Sequence, residues 1–180
     1  MIAPPPIHVG KFELSLLDVE ELQSPDAIAR APASVAQDFR TGGWREVNRH
    51  YLCDQRQFGE RSMRALMERL GISSVSDTGE ALDLIEVALR VFAPEGGYQG
   101  KTVRRGSNEL WMVNRYCPVF AALEENNWHG VTACPSWYIR RGWLDALGVD
   151  ATDSVIQEKK WGAGACTAAI RMEACGRAVV

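Results

Sequence analysis

The sequence predicts an α+β domain in which N-terminal helices are followed by a largely antiparallel sheet, with two helices inserted between its strand pairs. Two observations lead to this fold class. Apolar residues recur every three or four positions through residues 44–70 and 78–92, as on one face of a helix. From residue 101 onward, two pairs of short segments alternate apolar and polar residues around turn-forming stretches.

The first 40 residues are predicted to form an extended arm. They contain five of the eight prolines, and Ala/Pro/Ser-rich stretches lie around positions 24–26 and 31–34. Such a composition favours turns over long regular elements. A chain of 180 residues that is 46% hydrophobic can bury enough surface to fold as one unit. We therefore expect an arm over 1–40 and a single α+β domain over 41–180.

Capping residues mark the ends of the two predicted N-terminal helices. Gly71 follows the first helix as a C-cap, and an interruption is expected near Gly59. Asp77 or Thr78 caps the second helix, which carries Glu80 in its first turn.

The C-terminal part is predicted to be a cysteine-containing module over 98–175. Glycine-rich or polar turns separate its elements, which makes hairpins of the two strand pairs. In order, the predicted elements are strands 101–105 and 109–115, helices 119–126 and 136–147, and strands 155–160 and 166–173.

The charge pattern argues against polyanion-binding functions. The formal net charge is -3, and acidic and basic residues are mixed along the whole length. No basic field therefore exists to steer nucleic acid or an anionic membrane. Residues 1–6 lack the features of a secretory signal, and no apolar run reaches the roughly 18 residues that span a bilayer. We expect a cytoplasmic protein whose partner is a small molecule, without nucleic-acid or membrane partners.

Three of the five cysteines lie at the ends of predicted elements. Cys117 stands where a strand leaves the sheet, Cys134 precedes a helix N-terminus, and Cys166 begins the last strand. In a reducing compartment, an odd number of cysteines in a chain of this size indicates thiols, thiolates or metal ligands rather than a disulfide framework. The helix dipole favours a thiolate at Cys134, which makes it the strongest candidate nucleophile. A simple role as small buried side chains is the alternative, and it is the preferred interpretation for Cys53 and Cys175.

The same cysteines suggest a metal or cofactor. Three thiolates with a carboxylate or imidazole satisfy a tetrahedral zinc site. The predicted ligands are Cys117, Cys134, Cys166 and Glu158, with His129 as the other candidate for the fourth position. Glu158 could equally be a solvated strand residue and His129 a loop residue. Because Cys117 and Cys134 both precede proline, as in some haem-thiolate sites, haem or an iron–sulfur cluster is an alternative cofactor.

The C-terminal motifs, taken together, resemble a known family. Residues 113–118 read Val-Asn-Arg-Tyr-Cys-Pro, Cys134 precedes a Gly-Trp-Leu at 142–144, and Glu158 precedes a Gly-Ala-Gly-Ala-Cys that ends at Cys166. Over roughly the last 70 residues this pattern resembles the L-2-amino-thiazoline-4-carboxylate hydrolase-like family. More distantly, it resembles the 4-vinyl-reductase-like small-molecule-binding domains.

The first resemblance implies a homodimeric hydrolase that opens a C–N bond in a small cyclic sulfur- or nitrogen-containing compound. Cys134 or a metal-bound water would attack the C=N carbon, with Glu158 or His129 moving protons. The second resemblance implies a zinc site on Glu158, Cys134 and Cys166. Trp161 stands where that family has a further cysteine, so Cys117 would supply the missing thiolate. A non-catalytic, metal-containing binding or sensing domain is the alternative function.

Overall fold

The structure is a computed structural model that describes residues 6–22, 32–92, 99–116, 124–125, 127 and 135–173. It confirms the α+β class: helices combine with a two-stranded and a four-stranded antiparallel sheet. In chain order, the elements are β1 (Ile7–Val9), β2 (Phe12–Leu14), α1 (Leu16–Leu22), α2 (Pro32–Arg69), α3 (Thr78–Val91), β3 (Gln99–Arg105), β4 (Glu109–Tyr116), α4 (Pro135–Leu147), β5 (Ala151–Gln157) and β6 (Cys166–Met172).

The larger sheet has the strand order β3-β4-β6-β5, and every neighbouring pair is antiparallel. Asn114 on β4 pairs with Cys166 on β6, and Gln157 on β5 pairs with Thr167. One end of the sheet is therefore formed by the end of β4, the start of β6 and the end of β5. A register shift between Val155 and Gln157 leaves the intervening residue of β5 outside the ladder.

Residues 7–22 lie in the stretch where the sequence predicted an extended arm, and they form β1, β2 and α1. Val9, Phe12 and Leu14 are buried in the core of the domain. The turn between the strands uses Gly10, whose positive φ of 56° is accessible to glycine at little cost. Strands of three residues give too short an alternation to be recognised from sequence.

Helix α2 begins earlier than the predicted start at Trp44. Its range, Pro32–Arg69, contains one break at Gly43, where φ is 65° and ψ is -163°. The helical stretch that follows the break therefore begins at Trp44, as the apolar spacing indicates. The helix continues through Gly59, where an interruption was expected.

Gly59 and Gly142 allow α2 and α4 to pack backbone against backbone. A Cβ atom at Gly59 would lie 2.1 Å from the carbonyl oxygen of Ile139, and one at Gly142 would lie 2.0 Å from that of Arg56. The indole N–H of Trp143 donates to Ser62 Oγ across the same interface at 3.0 Å. This contact joins α4 to α2.

A continuous apolar core joins these layers. Helix α3 is buried along most of its length. Of the two caps that the sequence offered, Asp77 and Thr78, Asp77 is the N-cap, and it accepts a hydrogen bond from the Glu80 amide. The described core includes Met63 and Leu66 of α2, Leu82, Ile85 and Val91 of α3, Leu110 and Met112 of β4, Trp143 and Leu144 of α4, and Ile170 and Met172 of β6. Among the described helices, none is both long and apolar enough to cross a membrane.

Candidate functional site

Cys166 lies at the end of the sheet where β4 and β5 finish and β6 starts. Its half-buried side chain faces the turn between β5 and β6, and the backbone N–H of Lys159 donates to Cys166 Sγ at 3.4 Å. A hydrogen bond donated to sulfur favours the thiolate over the thiol. This cysteine is therefore held in an orientation, and with a donor, that suit a nucleophile or a metal ligand.

Glu158 begins that turn. The sequence predicted a strand over 155–160, but β5 ends at Gln157 and a 3-10 turn follows over Lys159–Trp161. The turn closes because the Trp161 amide donates to the Glu158 carbonyl at 3.0 Å and because Gly162 adopts a φ of 87°. The Glu158 carboxylate accepts the indole N–H of Trp161 at 3.1 Å, which fixes its direction.

The side chain of Lys159 ties the turn to β4. Its ammonium group donates to the carbonyl oxygen of Arg115 at 3.2 Å. Asn114, which pairs with Cys166 across the ladder, lies against Gly100 of β3, where a Cβ would come within 2.1 Å of Asn114 Oδ1. Residues from all four strands thus meet at this end of the sheet.

The residues predicted for catalysis or metal binding fall into two sets. Cys166 and Glu158 are described and flank the same turn, whereas Cys117, His129 and Cys134 lie outside the described residues. Within the described residues, no group of three or more His, Cys, Asp or Glu side chains could hold a metal ion. A zinc site of the predicted composition would therefore need ligands from outside the described set, and it stays a prediction.

A second group of reactive side chains lies on α2, where the sequence indicated only a buried helical cysteine. Cys53 is exposed. It shares an open concavity of about 320 Å³ with Arg49, His50 and Asp54. Nε2 of His50 lies 2.9 Å from Oε1 of Glu46. Sequence reasoning missed this group, although the spacing of Arg49, His50 and Cys53 on one helical face was a signal for it.

No protein-family model matches the chain, and no curated protein matches it. Among solved structures, it is similar to trafficking protein particle complex subunit 3 from Naegleria fowleri, covalently bound to palmitic acid. That match has 14% identity and a TM-score of 0.52, and it covers 79% of this chain and 90% of that chain. The likeness is one of fold.

Two H-NOX domain structures are similar at a lower level. The domain from Shewanella oneidensis has 12% identity and a TM-score of 0.45, covering 86% of this chain and 85% of that one. The protein from K. algicida has 11% identity and a TM-score of 0.39, and the match covers 72% of this chain and 69% of that one. At these scores the two matches carry no argument about a shared site or cofactor.

Proposed function

We propose that this chain is a small hydrolase-like protein that acts on a small cyclic sulfur- or nitrogen-containing compound at a cysteine-based site. The site is built around Cys166 and Glu158 and includes Cys117 and Cys134. The observation that carries the proposal is the hydrogen bond from the Lys159 amide to Cys166 Sγ at 3.4 Å, because it provides a fixed donor to a thiolate. Glu158, on the same turn, supplies a carboxylate for proton transfer.

The sheet geometry supports a common location for the three cysteines. Cys117 follows Tyr116, the last residue of β4, at the end of the sheet where Cys166 begins β6. Cys134 precedes α4, whose first turn packs beside β5 through a hydrogen bond of 3.1 Å from the Trp137 indole to the Asp153 carbonyl. The end of β4 thus adjoins Cys166, and the first turn of α4 contacts β5 at Asp153, which pairs with Ile170, four residues along β6 from Cys166.

In the proposed reaction, a thiolate adds to the C=N carbon of the ring and forms a C–S bond, while the π electrons pass to the ring nitrogen, which takes up a proton. The adduct then expels that nitrogen as an amine with a second proton, which breaks the ring C–N bond. Water attacks the same carbon, displaces the cysteine thiolate and leaves the ring-opened carbonyl product. Glu158 or His129 carries the proton, and Cys134 is the nucleophile that the sequence favours. If the cysteines instead hold zinc, the metal would activate the attacking water.

Other functions use the same residues. A non-catalytic, metal-containing binding or sensing domain needs the thiolates only as structural ligands. Haem or an iron–sulfur cluster needs them as ligands of iron. The likeness to the trafficking protein particle complex subunit that is covalently bound to palmitic acid favours a further candidate, a protein that carries a covalently attached acyl chain.

One set of measurements on freshly purified full-length chain separates these functions. Elemental analysis detects zinc, and absorbance of an anaerobic preparation detects haem or cluster iron. Intact mass detects a palmitoyl adduct. Turnover of a 2-aminothiazoline carboxylate is then followed in the wild type and in Cys134→Ser, Cys166→Ser and the control Cys53→Ser. We expect turnover that both site variants abolish and the control retains. Turnover that survives in both site variants, or no turnover by the wild type, rules out the proposed hydrolase.

A further inference from the structure

The concavity on α2 brings together a nucleophile, a base and a cation. Arg49 and His50 precede Cys53 by four and three residues, so all three side chains project from one face of the helix. The space beside them, about 320 Å³, is at the lower end of the range for sites that take small molecules. None of these residues belongs to the Cys166 turn.

His50 is oriented by a carboxylate. Its Nε2 atom lies 2.9 Å from Oε1 of Glu46, one helical turn earlier, so Nε2 donates a hydrogen bond to that carboxylate. In the neutral form of the imidazole, the other ring nitrogen is the proton acceptor. Glu46, His50 and Cys53 thus follow one another along the helix in the order orienting group, base and nucleophile, an arrangement that suits thiol activation.

Arg49 supplies a positive charge, and within the described residues no ion pair joins it to a carboxylate. The other nearby arginine, Arg56, is paired with Asp145 at 2.7 Å. The pKa of Arg56 is raised chiefly by that hydrogen bond, with a small contribution from Cys53 that reflects its proximity. Asp54 contributes one negative charge to the lining. The cation beside the thiol is therefore available to an anionic reactant.

We propose that Cys53 is a thiol–disulfide exchange site for small anionic disulfides of the glutathione class. His50 accepts the thiol proton, and the Cys53 thiolate attacks one sulfur of the disulfide. The S–S bond breaks as the mixed disulfide forms, and the departing thiolate takes up a proton. Arg49 attracts a carboxylate of the reactant to the concavity.

The test compares reagents of opposite charge on the full-length chain. The probes are 5,5′-dithiobis(2-nitrobenzoate), which is anionic, and cystamine, which is cationic. Peptide mass spectrometry follows modification of Cys53 in native protein and in urea-unfolded protein, and the unfolded rate corrects for the intrinsic reactivity of each reagent. We expect the ratio of native to unfolded rates to be roughly 3- to 10-fold higher for the anionic probe than for the cationic one. One to two charge–charge contacts at about 6 Å in water would give a difference of this size.

Two arginine variants provide the matched comparison. Arg49→Gln should remove most of the preference for the anionic probe. Arg64→Gln removes the same charge about 16 Å along the helix from Cys53 and should leave the preference unchanged. His50→Gln should slow native Cys53 with both probes. The proposal is overturned if the two probes give equal rate ratios, or if the two arginine variants have equal effects. It is also overturned if Cys53 reacts more slowly in the native protein than in the unfolded chain with both probes.

Discussion

Glu80 shows how one buried carboxylate joins separate parts of the chain. It lies in the first turn of α3 and accepts hydrogen bonds from the Lys11 ammonium at 2.6 Å and from the Ser76 amide at 2.5 Å. Its own amide donates to the capping carboxylate of Asp77. These bonds, that of Lys11 above all, lower the pKa of Glu80 from its ordinary 4.5 to about 2.

This pKa predicts how stability depends on pH. Because the folded pKa is depressed, the contribution of Glu80 is complete above pH 4.5 and is lost as the pH falls toward about 2. Glu80→Gln should therefore lower the free energy of unfolding by about 1 kcal/mol at neutral pH, and by less in acid. Urea denaturation across this pH range measures the difference.

Glu13→Gln is the matched control for Glu80→Gln. Glu13 lies on the β1–β2 hairpin, which also carries Lys11, and its side chain is 67% exposed. Its substitution should change stability little at any pH. If the two variants lose the same stability with the same dependence on pH, the linkage assigned to Glu80 is wrong.

At the scale of elements, the contact between α2 and α4 depends on two glycines. The atoms that a new Cβ would meet at Gly142 are the Arg56 carbonyl oxygen at 2.0 Å and the Glu60 amide nitrogen at 2.7 Å. Both belong to helical backbone, which cannot rotate away as a side chain can. Any larger residue must push the helices apart.

Gly142→Ala should therefore be destabilising, although alanine is intrinsically the better helix former by about 1 kcal/mol. We expect a net loss of about 2–3 kcal/mol in the free energy of unfolding, measured by urea denaturation. Gly164→Ala makes the same chemical change where nothing lies within 4 Å of the new atom, and it should be close to neutral. A neutral or stabilising Gly142→Ala would show that the helices separate at little cost.

The elements predicted best were those whose local signals agree with their packing. Helix α3 was predicted with its cap at Asp77 or Thr78, and Asp77 is the cap, because a capping residue and a continuous apolar face occur together. Gly59 was misleading, because a glycine in a helix indicates weakness by propensity, whereas here it makes room for Ile139 of another helix. That use depends on a contact between distant segments, which no local pattern contains.

For the whole molecule, the sequence predicted the class and the start of β6 at Cys166, but not where β5 ends. The strand stops at Gln157 because Glu158 and Trp161 close a turn through both backbone and side chain. Nor did it predict the Cys53 concavity, since exposure of a helical cysteine depends on where α4 packs. The grouping of Cys117, Cys134 and Cys166 stays a prediction, as two of the three lie outside the described residues.

The helical layer and the larger sheet are joined by a buried ion pair. Arg140 of α4 contacts both carboxylate oxygens of Asp153 on β5, at 2.9 and 3.0 Å, and the two side chains are 6% and 1% exposed. Burial raises the pKa of Asp153 and the positive charge of Arg140 opposes that rise. The carboxylate therefore depends on its arginine to remain charged.

Removing the arginine alone should lower the free energy of unfolding more than removing both members of the pair. Arg140→Met leaves an unpaired buried carboxylate and should lower the free energy of unfolding by about 3–5 kcal/mol at neutral pH. In this variant the loss of the arginine raises the pKa of Asp153 in the folded state further. The loss of stability should therefore become smaller as the pH falls below that pKa and Asp153 becomes protonated. Arg140→Met combined with Asp153→Leu should be more stable than Arg140→Met alone at neutral pH, as measured by urea denaturation. A double variant that is no more stable than Arg140→Met would mean that Arg140 stabilises the layers through its other contacts rather than through Asp153.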